Sequence, residues 1–157
     1  MNYTLIDIIE QQVVIRLPDH PDGQGALKVN WNFVLDFRFP TPLELAVRVT
    51  ATLDSTAEEE RESLFELDVV HRFRLGESPS FYPIDFNTPL TDEGKVQLAT
   101  FVGICVGTAR GLAYTRTAAP FGKEVLIPVL NPTAMLEHHI AQVTSQSEDT
   151  EQSDTSA

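Results

Sequence analysis

The chain has 157 residues, 42% of them hydrophobic and 8% aromatic, and a formal net charge of −12. That length suits one domain with a buried core, and the charge argues against nucleic acid or an anionic lipid surface as partner, though it also simply aids solubility. Cys105 is the only cysteine, which excludes an internal disulfide and leaves a reducing cytoplasm as the default compartment.

No basic stretch followed by an apolar run opens the chain, so no signal peptide is expected. Asn2 to Leu17 is rich in β-branched residues and reads as a first strand. Val13, Ile15 and Leu17 alternate with Gln12, Val14 and Arg16, whereas Leu5, Ile6, Ile8 and Ile9 break the alternation and predict a bulge or bend. Pro18 to Gly23 is a loop by its turn residues. The second strand has the strongest period in the chain: Val29, Trp31, Phe33, Leu35, Phe37 and Phe39 face one way, opposed by Asn30, Asn32, Val34, Asp36 and Arg38. Pro40-Thr41-Pro42 makes a short link to an antiparallel third strand, in which Leu43 to Leu53 alternate in the same manner. After a charged loop, the fourth strand carries Phe65, Leu67, Val69, His71 and Phe73 on one face and Glu66, Asp68, Arg72 and Arg74 on the other. Short links between successive strands predict an antiparallel meander with one apolar face, which a helix must cover.

Gly76 to Pro89 is long for a loop and spends Phe81, Tyr82, Ile84 and Phe86 among prolines and polar residues. Those rings form either a lid over the open end of the core or a wall of an apolar groove. Thr91 caps a long helix whose first turn holds Asp92 and Glu93, where the helix dipole favours negative charge. Leu98, Phe101, Val102, Cys105, Ala109, Leu112 and Ala113 recur at helical spacing. Gly103, Gly107 and Gly111 fall four apart, each costing ~1 kcal/mol against alanine in a helix interior. They predict a close approach of another backbone, either the chain's own sheet or a second subunit. Gln97, Thr100, Thr108 and Arg110 interrupt the apolar run, so no membrane span is expected. Ala118-Ala119-Pro120 ends the helix. Lys123 to Leu130 is extended, and Asn131-Pro132 opens a second helix as N-cap and first-turn proline. Met135, Leu136, His139, Ile140 and Val143 give it one apolar face. From Ser145 the chain is polar and acidic and is expected to be disordered. The domain boundary therefore falls at 1–144, with 145–157 a tail. The fold class is α+β: a four-stranded antiparallel sheet covered by one long helix and a shorter C-terminal one.

Little here suggests catalysis. His71 on an apolar strand face reads as a hydrogen-bonded core residue, and His138-His139 point about 100° apart on a helix, which is no metal-ligand spacing. Neither a Gly-x-x-x-x-Gly-Lys loop nor a Gly-x-Ser-x-Gly elbow occurs. A thioesterase-type enzyme also wraps a sheet around one helix, but needs a carboxylate or polar group there. Lys95 through Lys123 contains no Asp or Glu. No enzyme, metal or cofactor is expected.

The order of elements, Leu45 to Leu53 on the third strand, Leu64 to Val69 on the fourth, Ala109-Arg110 upstream of Asn131, the segment Pro128-Val129-Leu130-Asn131-Pro132 and the acidic tail together resemble the SecB-type protein-export chaperones. The likeness spans nearly the whole chain. It implies a homotetramer, a dimer of dimers, that binds unfolded polypeptides in long apolar grooves without a nucleotide. Many such proteins pass cargo to the SecA translocation motor through an acidic sheet face, and others serve a toxin–antitoxin pair. Asp68, with Glu66 beside it, matches the motor-contacting position, whereas Gln12 and Arg16 stand where two further acids are expected. Gly107-Thr108 replaces a helix proline, and Pro132 a phenylalanine. On this basis the client groove is expected at Trp31, Phe33, Phe81, Tyr82, Phe86, Phe121 and Ile127, with Leu35 and Phe37 assigned to the core. The subunit interface is expected at Gly103, Gly107 and Gly111. A specialised chaperone for one client, such as an antitoxin, and an adaptor for one folded partner are the alternatives.

Overall fold

The computed structural model describes residues 2–16, 29–55, 63–84, 86, 88–121 and 127–153, and of 120, 121 and 146–153 the backbone alone. Four strands, β1 (Tyr3–Ile15), β2 (Val29–Thr41), β3 (Glu44–Ser55) and β4 (Ser63–Leu75), precede two helices, α1 (Asp92–Phe121) and α2 (Pro132–Ser153). The class is α+β, as the patterning predicts.

The strands form one antiparallel sheet in the order β1-β4-β3-β2. Only β2, β3 and β4 follow one another as a meander. β1 departs from the sequential order and lies on the far side of β4, with Tyr3 opposite Leu75 and Ile15 opposite Phe65. The turn at Pro42-Leu43 forces β2 against β3, but residues 16–28 are too long a link to impose that adjacency on β1 and β2. β4 suits the interior because all its residues but Arg74 are buried or half-buried, while the even-numbered residues of β2 are largely exposed. The irregularity expected in β1 is present, as register shifts between Leu5 and Asp7 and again between Glu10 and Gln12. These bulges keep Leu5, Ile8, Val13 and Ile15 on the same face as Phe73, His71, Leu67 and Phe65.

That face is covered by α1. Leu98, Phe101, Val102, Cys105, Ala109 and Ala113 are buried on Leu45, Val47, Val49, Leu67, Val69 and Phe73. The ring of Phe101 meets Phe73 edge-on at 4.8 Å and Tyr3 at 5.0 Å. By length and mean hydropathy alone, Asp92–Ala119 is apolar enough to cross a membrane, despite the polar interruptions. Leu98, Phe101, Val102 and Cys105 are instead spent on the core, while Val96 and Tyr114 stay exposed. Thr91 Oγ1 accepts from the Gly94 amide at 3.1 Å, and Asn131 Oδ1 from Thr133 and Ala134 at 3.0 and 3.4 Å. Both helices thus start at the residues whose side chains can satisfy first-turn amides. α2 runs on to Ser153, past Ser145, where the loss of apolar residues predicts its end.

His71 is completely buried, and among the described residues neither ring nitrogen has a hydrogen bond of normal geometry, with the Val47 backbone as the polar neighbour that acts on it, rather than the well-paired core histidine expected. Burial holds its pKa below the ordinary 6.5, with the Val47 backbone acting in the opposite sense. Cys105 is buried in apolar surroundings that push its thiol pKa well up.

Candidate functional site

An apolar groove of about 570 Å³ runs between β2 and α2. Trp31, Phe33 and Leu35 form one side, and Leu130, Met135 and His139 the other; Asn32, His138 and Gln142 give it a polar rim. The period-2 pattern of β2 puts its odd-numbered side chains on the helix-covered face. The chain then reaches the far wall because Asn131-Pro132 starts α2 beside α1, where Gly103 lets Pro132 approach to within 3.3 Å of a Cβ position. Trp31 stacks on Phe33 at 6.1 Å and meets Phe65 edge-on at 5.9 Å. Behind the groove, Phe37, Phe86 and His139 form a three-ring cluster with centroids 5.2 to 5.9 Å apart, tying α2 and the crossover loop between β4 and α1 to β2. Burial lowers the His139 pKa; nearby Asp36 raises it and His138 lowers it further.

The aromatic residues singled out from the sequence divide among different places. Trp31 and Phe33 line the groove, and Phe86 supports it from behind. Phe81 does not reach it. It is 3% exposed and packs on Phe39 at 6.0 Å and Phe101 at 6.5 Å, which makes it a lid on the core. Tyr82 is more exposed and meets Phe39 at 4.9 Å, near the end of β2 away from Trp31. Ile127 is buried and borders a separate hollow of about 470 Å³ with Gly107, Arg110, Gly111 and Tyr114. Phe121 ends α1, and its side chain lies outside the described residues. Leu35, assigned to the core, is buried and also floors the groove. The wall from Leu130, Met135 and His139 is absent from the expected set. The apolar face of α2 is visible in the sequence, but nothing there says that it stands opposite β2 rather than flat on the core.

The glycines also separate. Gly103 is spent on the intrachain contact with Pro132, whereas among the described residues a Cβ at Gly107 or Gly111 would meet nothing within 4 Å. On the outer face of the sheet, Asp68 is 4% exposed and gripped by Arg48 through two bonds, one of them Nε to Oδ1 at 2.8 Å. That contact raises the Arg48 pKa, through the hydrogen bond first and the Asp68 charge second. Arg38 pairs with Asp36 at 2.9 Å, and Arg72 and Arg74 with Glu44 at 3.6 and 3.9 Å. Of the two proposed motor-docking acids, only Glu66 offers its carboxylate without such a clamp. The face is a lattice of opposed charges rather than an acidic surface. Among the described residues, no group of three or more His, Cys, Asp or Glu is placed to hold a metal ion.

No family model and no curated protein sequence matches the chain. Among solved structures it is similar to a SecB-like chaperone of Mycobacterium tuberculosis, determined in complex with a ChAD peptide from the HigA1 antitoxin. The two superpose with a TM-score of 0.57 at 14% identity, over 82% of this chain and 90% of the other. The four-stranded antiparallel sheet with two helices thus has a solved counterpart, and the chain has the SecB-like fold.

Proposed function

We propose that this protein is a nucleotide-independent holdase, a non-enzymatic chaperone that takes segments of unfolded polypeptide into the groove between β2 and α2. The observation that carries this reading is the groove itself: an open apolar channel of about 570 Å³ in a chain with the SecB-like fold. An unfolded chain offers apolar side chains of no fixed sequence. Stacked rings and a flexible Met135 suit such a ligand, because they give large contact area and adapt to what they meet.

Within this function, service to a dedicated client such as an antitoxin is better supported than general export. The solved relative in fold holds an antitoxin peptide, and on the outer face here Asp36, Glu44 and Asp68 are each paired with arginine, which leaves fewer free acids for a motor to dock on. Assembly into a homotetramer fits the open ridge at Gly107 and Gly111 and the exposed Val96 and Tyr114 on α1.

Met135→Lys tests the groove. It puts a charge into the α2 wall at a half-buried site, so aggregation of a chemically unfolded client should no longer be suppressed. Because Met135 also packs on the core, the urea midpoint should fall by about 1 kcal/mol, so suppression is read well below the melt. Suppression equal to wild type would place the client elsewhere and refute the assignment.

A further inference from the structure

The two edges of the sheet are not alike. β1 at one edge is broken by two bulges, while β2 at the other pairs with β3 without a shift from Val29 to Arg38. Bulges blunt an edge against further pairing; a long regular apolar edge invites it. The direction of the free backbone groups on β2 follows from the register. Leu75 N–H donates to the Leu43 carbonyl at 2.8 Å, and β3 runs against β4 without a shift from Glu44 to Leu53. In an antiparallel ladder backbone groups alternate in direction along each strand. Odd-numbered β3 residues therefore turn toward β4, and even-numbered ones toward β2. Across β2–β3, even residues oppose even residues (Asn32 with Thr52, Val34 with Thr50). Hence Asn30, Asn32, Val34 and Asp36 bond to β3, and Trp31, Phe33 and Leu35 turn their N–H and C=O groups to the open edge. Among the described residues nothing bonds to those groups. They are the same three residues whose side chains line the groove.

We infer that the client segment binds as an added strand on β2, through the backbone of Trp31, Phe33 and Leu35. The occupant is an extended polypeptide with apolar residues at every second position. Residues directly opposite Trp31, Phe33 and Leu35 send their side chains toward Leu130 and Met135, and the residues between them face outward beside Asn32 and Val34. Backbone bonding gives affinity without reading sequence, and the groove selects only the alternation. The groove therefore selects unpaired β-strand segments over amphipathic helices, whose apolar period is 3.6.

This inference rests on the holdase reading, and one experiment separates the two. Trp31 is the only tryptophan in the chain, so its fluorescence reports groove occupancy. The probe is a short capped peptide of alternating leucine and serine flanked by lysines, titrated into the full-length wild-type protein. Two further peptides carry backbone N-methyl groups, on the leucines in one and on the serines in the other. Only one set of amides faces β2: the leucine set in an antiparallel addition, the serine set in a parallel one. One methylated peptide should lose about tenfold or more in affinity, from two or more backbone bonds, while the other stays close to the parent. Equal binding, or equal loss, by both methylated peptides overturns the added strand and leaves the groove standing. No binding of the parent peptide, together with no suppression of client aggregation, overturns the holdase reading and the added strand with it.

Discussion

Phe81→Ala removes a ring that is 3% exposed and held between Phe39 of β2 and Phe101 of α1. Large-to-small changes of phenylalanine at such sites cost ~3–5 kcal/mol through lost transfer energy and the cavity left behind. The crossover loop can collapse more easily than a strand, which favours the lower end, about 3 kcal/mol. For a chain of this size each kcal/mol shifts the melting temperature by ~2–4 °C, so a drop of about 6–12 °C is expected by circular dichroism. Tyr82, one residue on, is 38% exposed and keeps a single edge-on contact with Phe39. Tyr82→Ala should cost only ~1 kcal/mol, the scale of one aromatic pair. At a temperature well below both melts, each variant should still hold client, because neither ring lines the groove. A Phe81→Ala protein that melts like wild type but lets client aggregate would refute the assignment of Phe81 to the core and return it to the binding surface.

Gly107→Leu fills open space in the single chain and should add about 1 kcal/mol of helix propensity; if α1 packs on a second subunit there, light scattering should show a smaller assembly, and a monomeric wild type refutes the tetramer. Arg48→Met leaves the buried Asp68 carboxylate unpaired, so the urea midpoint should fall, and adding Asp68→Asn should restore much of it. Burial lowers the pKa values of His71 and His139 below 6.5. As pH falls through 6.5 the unfolded chain takes up protons first, so this part of the stability is full above that value and is lost below it. A urea midpoint that is flat between about pH 7.5 and 5.5 refutes the effect, and His71→Leu should shrink it. Cys105, fully buried with its thiol pKa raised, should resist a thiol reagent in the folded protein and react once urea unfolds it.

Much of the architecture was legible because periodicity is local. Alternation in β2 to β4, the spacing from Leu98 to Ala113, and the caps at Thr91 and Asn131 each depend on residues within a few positions of one another, and the structure carries them all. The crossover loop announced itself by its rings, but periodicity does not say which ring meets which surface. Phe81 and Phe86 are near neighbours in the chain, yet one lies under Phe39 and the other beside His139. The order of strands was equally out of reach: β1 carries the alternation of a sheet strand, but whether it joins β2 or β4 depends on a link with no turn signal strong enough to decide. The groove depends on that order. Placing β1 beside β4 leaves β2 as an edge among the described residues, and only then do the backbone groups of Trp31, Phe33 and Leu35 point away from the sheet. Asp68 makes the same point on the other face. Its identity and its strand position are fixed locally, but Arg48, twenty residues earlier in the chain, closes it off once β3 and β4 pair. Short-range chemistry thus set which side chains are apolar, which face they share and where each helix starts, whereas exposure, pairing and the edge left free were decided only when segments distant in sequence came together.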